Sequence, residues 1–190
     1  KVAGNNGYVY AADAKLDRIV TYTKTLAGLR WGKNNSRVGE GRCSLNGQLL
    51  STGVISEECA EKGRYYTWQE AQTACPVNYR LPTVSEYLAL FDATGGANDT
   101  AGRQLKSVGF GNGTNEHSFN AIATGWANAG STTLTNTNIE TAFWTADENA
   151  ANNTEAARVF LQENNSQIPW SPTFYANRDK NKRYSVRCVK

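Results

Sequence analysis

Two helix starts of one design lie within the stretch 65–86, and they constrain the fold more than any other feature of the sequence. Thr67 is followed three residues later by Glu70, and Thr83 is followed three later by Glu86. Each pair is a capping box, in which the threonine hydroxyl and the glutamate carboxylate satisfy backbone N–H groups that the first helical turn leaves unpaired. Cys75-Pro76 closes the first helix, because proline cannot continue a helix and restricts the residue before it. Pro82 stiffens the entry to the second. Along that second helix Tyr87, Leu88, Leu90 and Phe91 supply an apolar face at helical spacing, and Gly95-Gly96 stops it.

Around these helices the rest of the chain reads as short strands and long polar connections. Residues 1–17 form an N-terminal arm or linker containing Tyr8-Val9-Tyr10, and 18–190 form one domain, a size sufficient for a sizeable core. The opening at Lys1, without an initiator Met or a signal pattern, reads as a mature product or an excised part of a longer protein. Arg18 to Lys24 alternates and is rich in β-branched residues, which predicts a strand. Gly28 marks a turn before a second strand at Leu29-Arg30-Trp31. The stretch 34–58 is punctuated by Gly and Asn around Cys43 and is expected to be an excursion. Residues 101–106 form a short third helical turn. Beyond Gly109, apolar strands at 119–123, 141–145, 158–161 and 184–189 alternate with polar loops, notably 125–140 and 162–182. Early helices followed by a looped antiparallel sheet define an α+β domain.

The cysteines are Cys43, Cys59, Cys75 and Cys188. None forms C-x-x-C, and His117 is the single histidine, so a zinc site has little to complete it. An even number at wide spacing points to disulfides and an oxidising, extracellular or cell-surface setting. Four cysteines allow three pairings. The preferred one is Cys43–Cys59, closing a short loop, with Cys75–Cys188 tying the first helix to the C-terminal strand. A net charge of +3, read as scattered, gives no argument for nucleic acid or an anionic membrane. No apolar run approaches the roughly 20 residues of a bilayer-spanning helix.

Three blocks in this order resemble the Fibrobacter succinogenes major paralogous domain family. They are Gly63 to Ala71, running on into Ala74-Cys75-Pro76 and Arg80-Leu81-Pro82-Thr83; then Ala142-Phe143-Trp144-Thr145; then Tyr184 to Lys190. A weaker block runs from Gly113 to Gly125. The resemblance implies a C-type-lectin-like fold on extracellular bacterial proteins, related more distantly to lectin-like adhesin tips. It implies a fold and not an activity. Asn78-Tyr79 stands where family members commonly carry Gly-Trp, and Ala123 where they carry proline. Tyr79 would fill the Trp slot with a smaller ring. The Glu-Pro-Asn, Gln-Pro-Asp and Trp-Asn-Asp motifs of calcium-dependent lectins are missing, and Gln167-Ile168-Pro169-Trp170 is similar only on the surface.

The chemistry-bearing candidates are few. Asp147-Glu148-Asn149, with Asn152 and Asn153, is rich in the oxygen ligands calcium wants, yet the regular spacing of a calcium loop is absent. It is read as a solvated loop, and no metal or other cofactor is assigned. Glu57-Glu58 and Asp147-Glu148 are the carboxylate pairs available for acid–base work, but they adjoin in sequence and carry no surrounding motif. His117 lies in a loop, and no Gly-x-Ser-x-Gly elbow accompanies it. The aromatics of the second half are more informative. Trp126 with Asn128, and Trp170 with Tyr175 and Arg178, combine ring faces with directional polar groups, as sugar and protein receptors require. Trp68 and Trp144, within the family-like blocks, are assigned to the core. The expectation is a non-catalytic extracellular binding module, an adhesin domain presenting loops 125–140 and 162–182 to a glycan or protein receptor, with the C-terminal strand closing a tip. The rival is a structural subunit of a surface filament or coat, joined to its neighbour through the N-terminal arm. A carbohydrate-processing enzyme is the third reading.

Overall fold

Both capping boxes close as their spacing requires. Thr67 Oγ1 accepts from the Glu70 N–H at 3.3 Å while Glu70 Oε2 accepts from the Thr67 N–H at 2.9 Å. Thr83 and Glu86 repeat the exchange at 3.2 and 2.8 Å. In the computed structural model, which describes residues 2–4, 7–11, 22–165 and 176–190, these caps belong to a mixed α and β fold. The chain runs through strands β1 (Val2–Gly4), β2 (Gly7–Ala11), β3 (Tyr22–Leu26), β4 (Leu29–Gly32), β5 (Ser44–Leu45), β6 (Gln48–Leu49) and β7 (Val54–Ser56). Helices α1 (Glu57–Lys62), α2 (Trp68–Ala71) and α3 (Val84–Ala93) follow, then a π-helical turn (Gly96–Thr100) and α4 (Ala101–Leu105). Strands β8 (Trp126–Ala127), β9 (Leu134–Thr135), β10 (Glu140–Glu148), β11 (Glu155–Gln162) and β12 (Ala176–Asp179) complete it. Among the described residues no helix is long and apolar enough to cross a membrane.

The sheets are small and antiparallel, and the one that matters most is β10-β11-β12. Thr141 opposes Leu161 and Phe143 opposes Val159, so successive residues point to opposite faces. Phe143, Val159 and Leu161 enter a cluster with Trp31, Tyr87, Leu90, Phe91, Leu105 and Phe119. Ala142, Trp144 and Ala156 enter a second, with Tyr66, Leu81, Tyr184 and Val186. A strand covered on both faces reads as a continuous apolar run, which is why 141–145 is legible as a strand.

The C-terminal segment binds these layers together. Arg183 bridges Ala127, Tyr184 bridges Tyr66, Ser185 bridges Phe143, and Val189 bridges both Trp31 and Arg80. The expected strand 184–189 is therefore a series of single bridges rather than one ladder, because the segment changes partner every residue or two. Cys75–Cys188 fastens it to the turn after α2, and Cys43–Cys59 fastens the β5-β6 hairpin to α1. Both disulfides are those preferred from the sequence. The guanidinium of Arg187, wholly buried in the same segment, donates to the carbonyls of Gly32, Lys33, Phe119 and Asn120 and to Asn35 Oδ1.

Other expectations need correction. The first capped helix has one α turn. Bonds of Gln72, Thr73 and Ala74 to the carbonyls three residues back then tighten the chain, ahead of the restriction imposed by Pro76. Residues 119–123 form no strand; only Ala121 bridges, to Lys106. Loop 125–140 contains the β8-β9 hairpin, and loop 162–182 contains β12. Helix α1 is an addition within the expected excursion. Ser56 caps it by accepting from the Cys59 N–H, with Glu57 and Glu58 in its first turn and Lys62 in its last, a charge order that suits the helix dipole. Trp144 is fully buried, as assigned, whereas Trp68 is half-buried. Of the predicted strand 18–24, residues 18–21 lie outside the described residues, and β3 begins at Tyr22.

Candidate ligand-binding face

Gly125 sets the direction in which the chain leaves the core. Its φ of +69° favours glycine, and a Cβ there would stand 2.4 Å from the Thr135 carbonyl oxygen. From that point β8 pairs with β9, Trp126 opposite Thr135 and Ala127 opposite Leu134. Ala127 also exchanges backbone bonds with Arg183. The hairpin is braced from behind by Leu134 N–H to Gly47 O at 2.8 Å, and by the shared packing of Leu49, Tyr65, Ala127 and Leu134. Trp126 is thus presented by a paired and packed hairpin.

The ring of Trp126 links core to surface. Its centroid lies 6.0 Å from that of Tyr184, which stands edge-on to buried Trp144 at 4.7 Å. Over the ring lies Lys182, with Nζ 4.6 Å from the centroid and donating to Asn128 Oδ1 at 2.7 Å. The buried indole N–H of Trp126 has no acceptor among the described residues. Nearby, a similar unit repeats. Trp68 Nε1 donates to the Thr145 carbonyl at 3.0 Å, and Lys180 Nζ lies 4.5 Å over its ring while ion-pairing with Glu148. Next to Lys182 in sequence, Arg183 donates to both oxygens of Glu70 at 2.6 and 2.9 Å, so the glutamate that caps α2 also anchors this face.

Arg178 sits on β12 opposite Ala156 and donates to the Asn177 carbonyl at 2.7 Å. Its charge is felt at Tyr184 and at Arg158. Burial pushes the Tyr184 hydroxyl up, while the adjoining Arg158 pulls the other way. Trp126 packs against Tyr184, Asn128 is joined to that ring through Lys182, and the charge of Arg178 reaches the same tyrosine, whereas Trp170 and Tyr175 lie outside the described residues. Lys182 was missed from sequence. The signal was there in the basic run Lys180, Lys182, Arg183, which makes the charge less scattered than composition suggests.

The remaining candidates have local duties. Asp147 Oδ2 accepts from the Val84 N–H at 2.7 Å, adding a third cap to α3 from a distant loop. Asn149 Nδ2 donates to Glu155 at 2.9 Å. Among the described residues no three His, Cys, Asp or Glu side chains gather in a metal-holding group. Glu58 accepts from Lys62 Nζ, Ser44 Oγ and the Asn46 N–H, and His117 Nε2 lies 2.7 Å from Gln104 Oε1. A cleft of about 470 Å³, unanticipated from sequence, is lined by Asn34, Lys62, Phe110, Asn120 and Asn138, with Val108 exposed at its rim.

No curated protein and no solved structure matches the chain. A family model does, over residues 25–190, a span that takes in both capping boxes, all four cysteines, the Trp126 hairpin and the C-terminal segment. On that match the chain belongs to the Fibrobacter succinogenes major domain family.

Proposed function

We propose that this domain is an extracellular, non-catalytic binding module, the ligand-binding part of a bacterial surface adhesin with a C-type-lectin-like fold, which recognises a glycan or protein receptor. The observation that carries the reading is the Trp126 unit: a half-buried ring on a braced hairpin, flanked by exposed Asn128 and by Lys182. Ring faces beside adaptable polar groups are what receptor sites use to gain contact area at small entropic cost. Two disulfides accord with an oxidising compartment. Arg178, together with Trp170 and Tyr175 from the sequence reading of loop 162–182, completes the proposed set of ligand-binding residues.

The test is binding of the oxidised chain to arrayed glycans and surface proteins, with and without a calcium chelator. A saturable partner weakened at least tenfold by Trp126→Ala, with thermal stability retained, supports the reading. Chelator sensitivity would add a metal to it. Absence of any partner counts against it.

One observation favours the rival, a structural subunit of a surface filament or coat. Strand β2 adds antiparallel to β7, with Val9 opposite Ser56 and Tyr10 opposite Ile55, so the arm has a matching sheet edge. In a filament the same edge would receive a neighbour's arm. Concentration-dependent assembly that is lost on deleting residues 1–12 would favour the subunit over the adhesin.

A further inference from the structure

The geometry points to an acidic saccharide, a sugar carrying a carboxylate, as the ligand of the Trp126 face, with Lys182 as the residue that selects it. This rests on the glycan reading above and narrows it. The outer face of Trp126 is not bare. Lys182 Nζ lies 4.6 Å over the ring, and its hydrogen-bond partner, Asn128 Oδ1, is neutral. A neutral sugar stacking on the indole must displace that ammonium and leave it with less than it had. A sugar bearing a carboxylate gives the ammonium a charge-assisted bond in exchange for the ring, while its C–H face covers the indole.

The charge balance of the face agrees. Four cations occur between Arg178 and Arg183, and two of them are matched: Lys180 by Glu148 and Arg183 by Glu70. Lys182 and Arg178 form no ion pair with a carboxylate among the described residues; they donate to the Asn128 amide oxygen and the Asn177 carbonyl. Lys182 lies over Trp126, whose ring packs against Tyr184, and the charge of Arg178 reaches the same tyrosine. Asp179, the carboxylate nearest in sequence, accepts instead from the backbone and side chain of Asn181. Aromatic surface and unmatched positive charge thus coincide, with exposed Asn128 beside them for the hydroxyls.

The experiment is calorimetric titration of the full oxidised chain with trigalacturonate, a hyaluronan tetrasaccharide and sialyllactose, each beside its carboxyl methyl ester, at low and high salt. At least one acid should bind about tenfold or more tighter than its ester, and raising the salt should narrow that gap. Lys182→Gln should reduce the acid to the level of its ester. The same substitution should leave the ester's affinity equal or higher, since the ammonium no longer covers the ring. Trp126→Ala should lose both ligands. Acid and ester bound equally, or a preference that survives Lys182→Gln, overturns the inference and leaves the glycan reading standing. No binding by any saccharide or ester overturns both.

Discussion

Arg187 and Lys106 are buried cations held, among the described residues, without a carboxylate in hydrogen-bond contact. The five acceptors of Arg187 come from two separate stretches of chain, 32–35 and 119–120, and the rings of Phe119 and Phe143 lie against it. Burial lowers its pKa to about 10, with Tyr87 opposing, and it remains charged at neutral pH. Removing the guanidinium strands several buried carbonyls, so Arg187→Met should cost about 3–5 kcal/mol, read as a lower urea midpoint at unchanged slope. Lys106 Nζ donates to Asn112 Oδ1 and to the carbonyls of Gln162, Glu163 and Asn165 at 2.6–2.9 Å. Burial pulls its pKa down to about 8, against the opposing charge of Glu163. Between that value and the unfolded value of roughly 10.4 the unfolded chain binds more protons, so stability should rise as pH climbs from 8 towards 10. Chemical denaturation of Lys106→Met should lack that rise. Buried Tyr65 and Tyr87, whose hydroxyls are pushed up, act in the opposite direction only above the ordinary tyrosine range.

At the scale of elements, helix ends and one hairpin position the proposed binding face. Glutamates of the capping boxes serve twice: Glu70 holds Arg183, and Glu86 takes both guanidinium nitrogens of Arg80, which holds its carboxyl below the usual range. The β8-β9 hairpin has a single steric gate at its root. Gly125→Ala would place a methyl against the Thr135 carbonyl at a φ that disfavours alanine, and should cost about 1–3 kcal/mol. Because the backbone must shift beside Trp126, ligand affinity should fall together with stability. A near-UV circular dichroism change with the far-UV spectrum retained would report the displaced ring.

For the molecule as a whole, two covalent links of very different span stabilise layers that share one C-terminal segment. Cys43–Cys59 spans 16 positions and Cys75–Cys188 spans 113. By chain entropy their upper contributions are about 3 and about 4–5 kcal/mol. Cys75→Ser/Cys188→Ser should therefore lower the unfolding midpoint more than Cys43→Ala/Cys59→Ala, with binding at Trp126 surviving the latter better. The reason is placement: Cys188 lies in the segment that carries Lys182 and Arg183, whereas Cys43–Cys59 anchors a peripheral hairpin to α1.

Local rules were legible wherever their partners lie within one turn. The two capping boxes, the apolar face of α3 and the turn at Gly95 needed only neighbours three or four residues away, and each formed where its spacing puts it. The α+β character followed from the order of helices and strands, the strand 141–145 from its continuous apolar run, and Trp126 with Asn128 stood out by residue type. Helix α1 was missed because its cap, Ser56, lacks the glutamate that completes a box. The two-residue strands of the β8-β9 hairpin carry no periodicity at all. Partner choice over long distances was not legible: that Asp147 caps α3, that 184–189 bridges several neighbours, or that Lys182 covers Trp126 rather than pointing to solvent. By itself, then, the sequence determined the helix starts and the apolar layers, because those energies are local. Only the tertiary structure decided which charges are matched and which are left over on the proposed binding face, because ion pairing depends on positions in space between segments far apart in the chain.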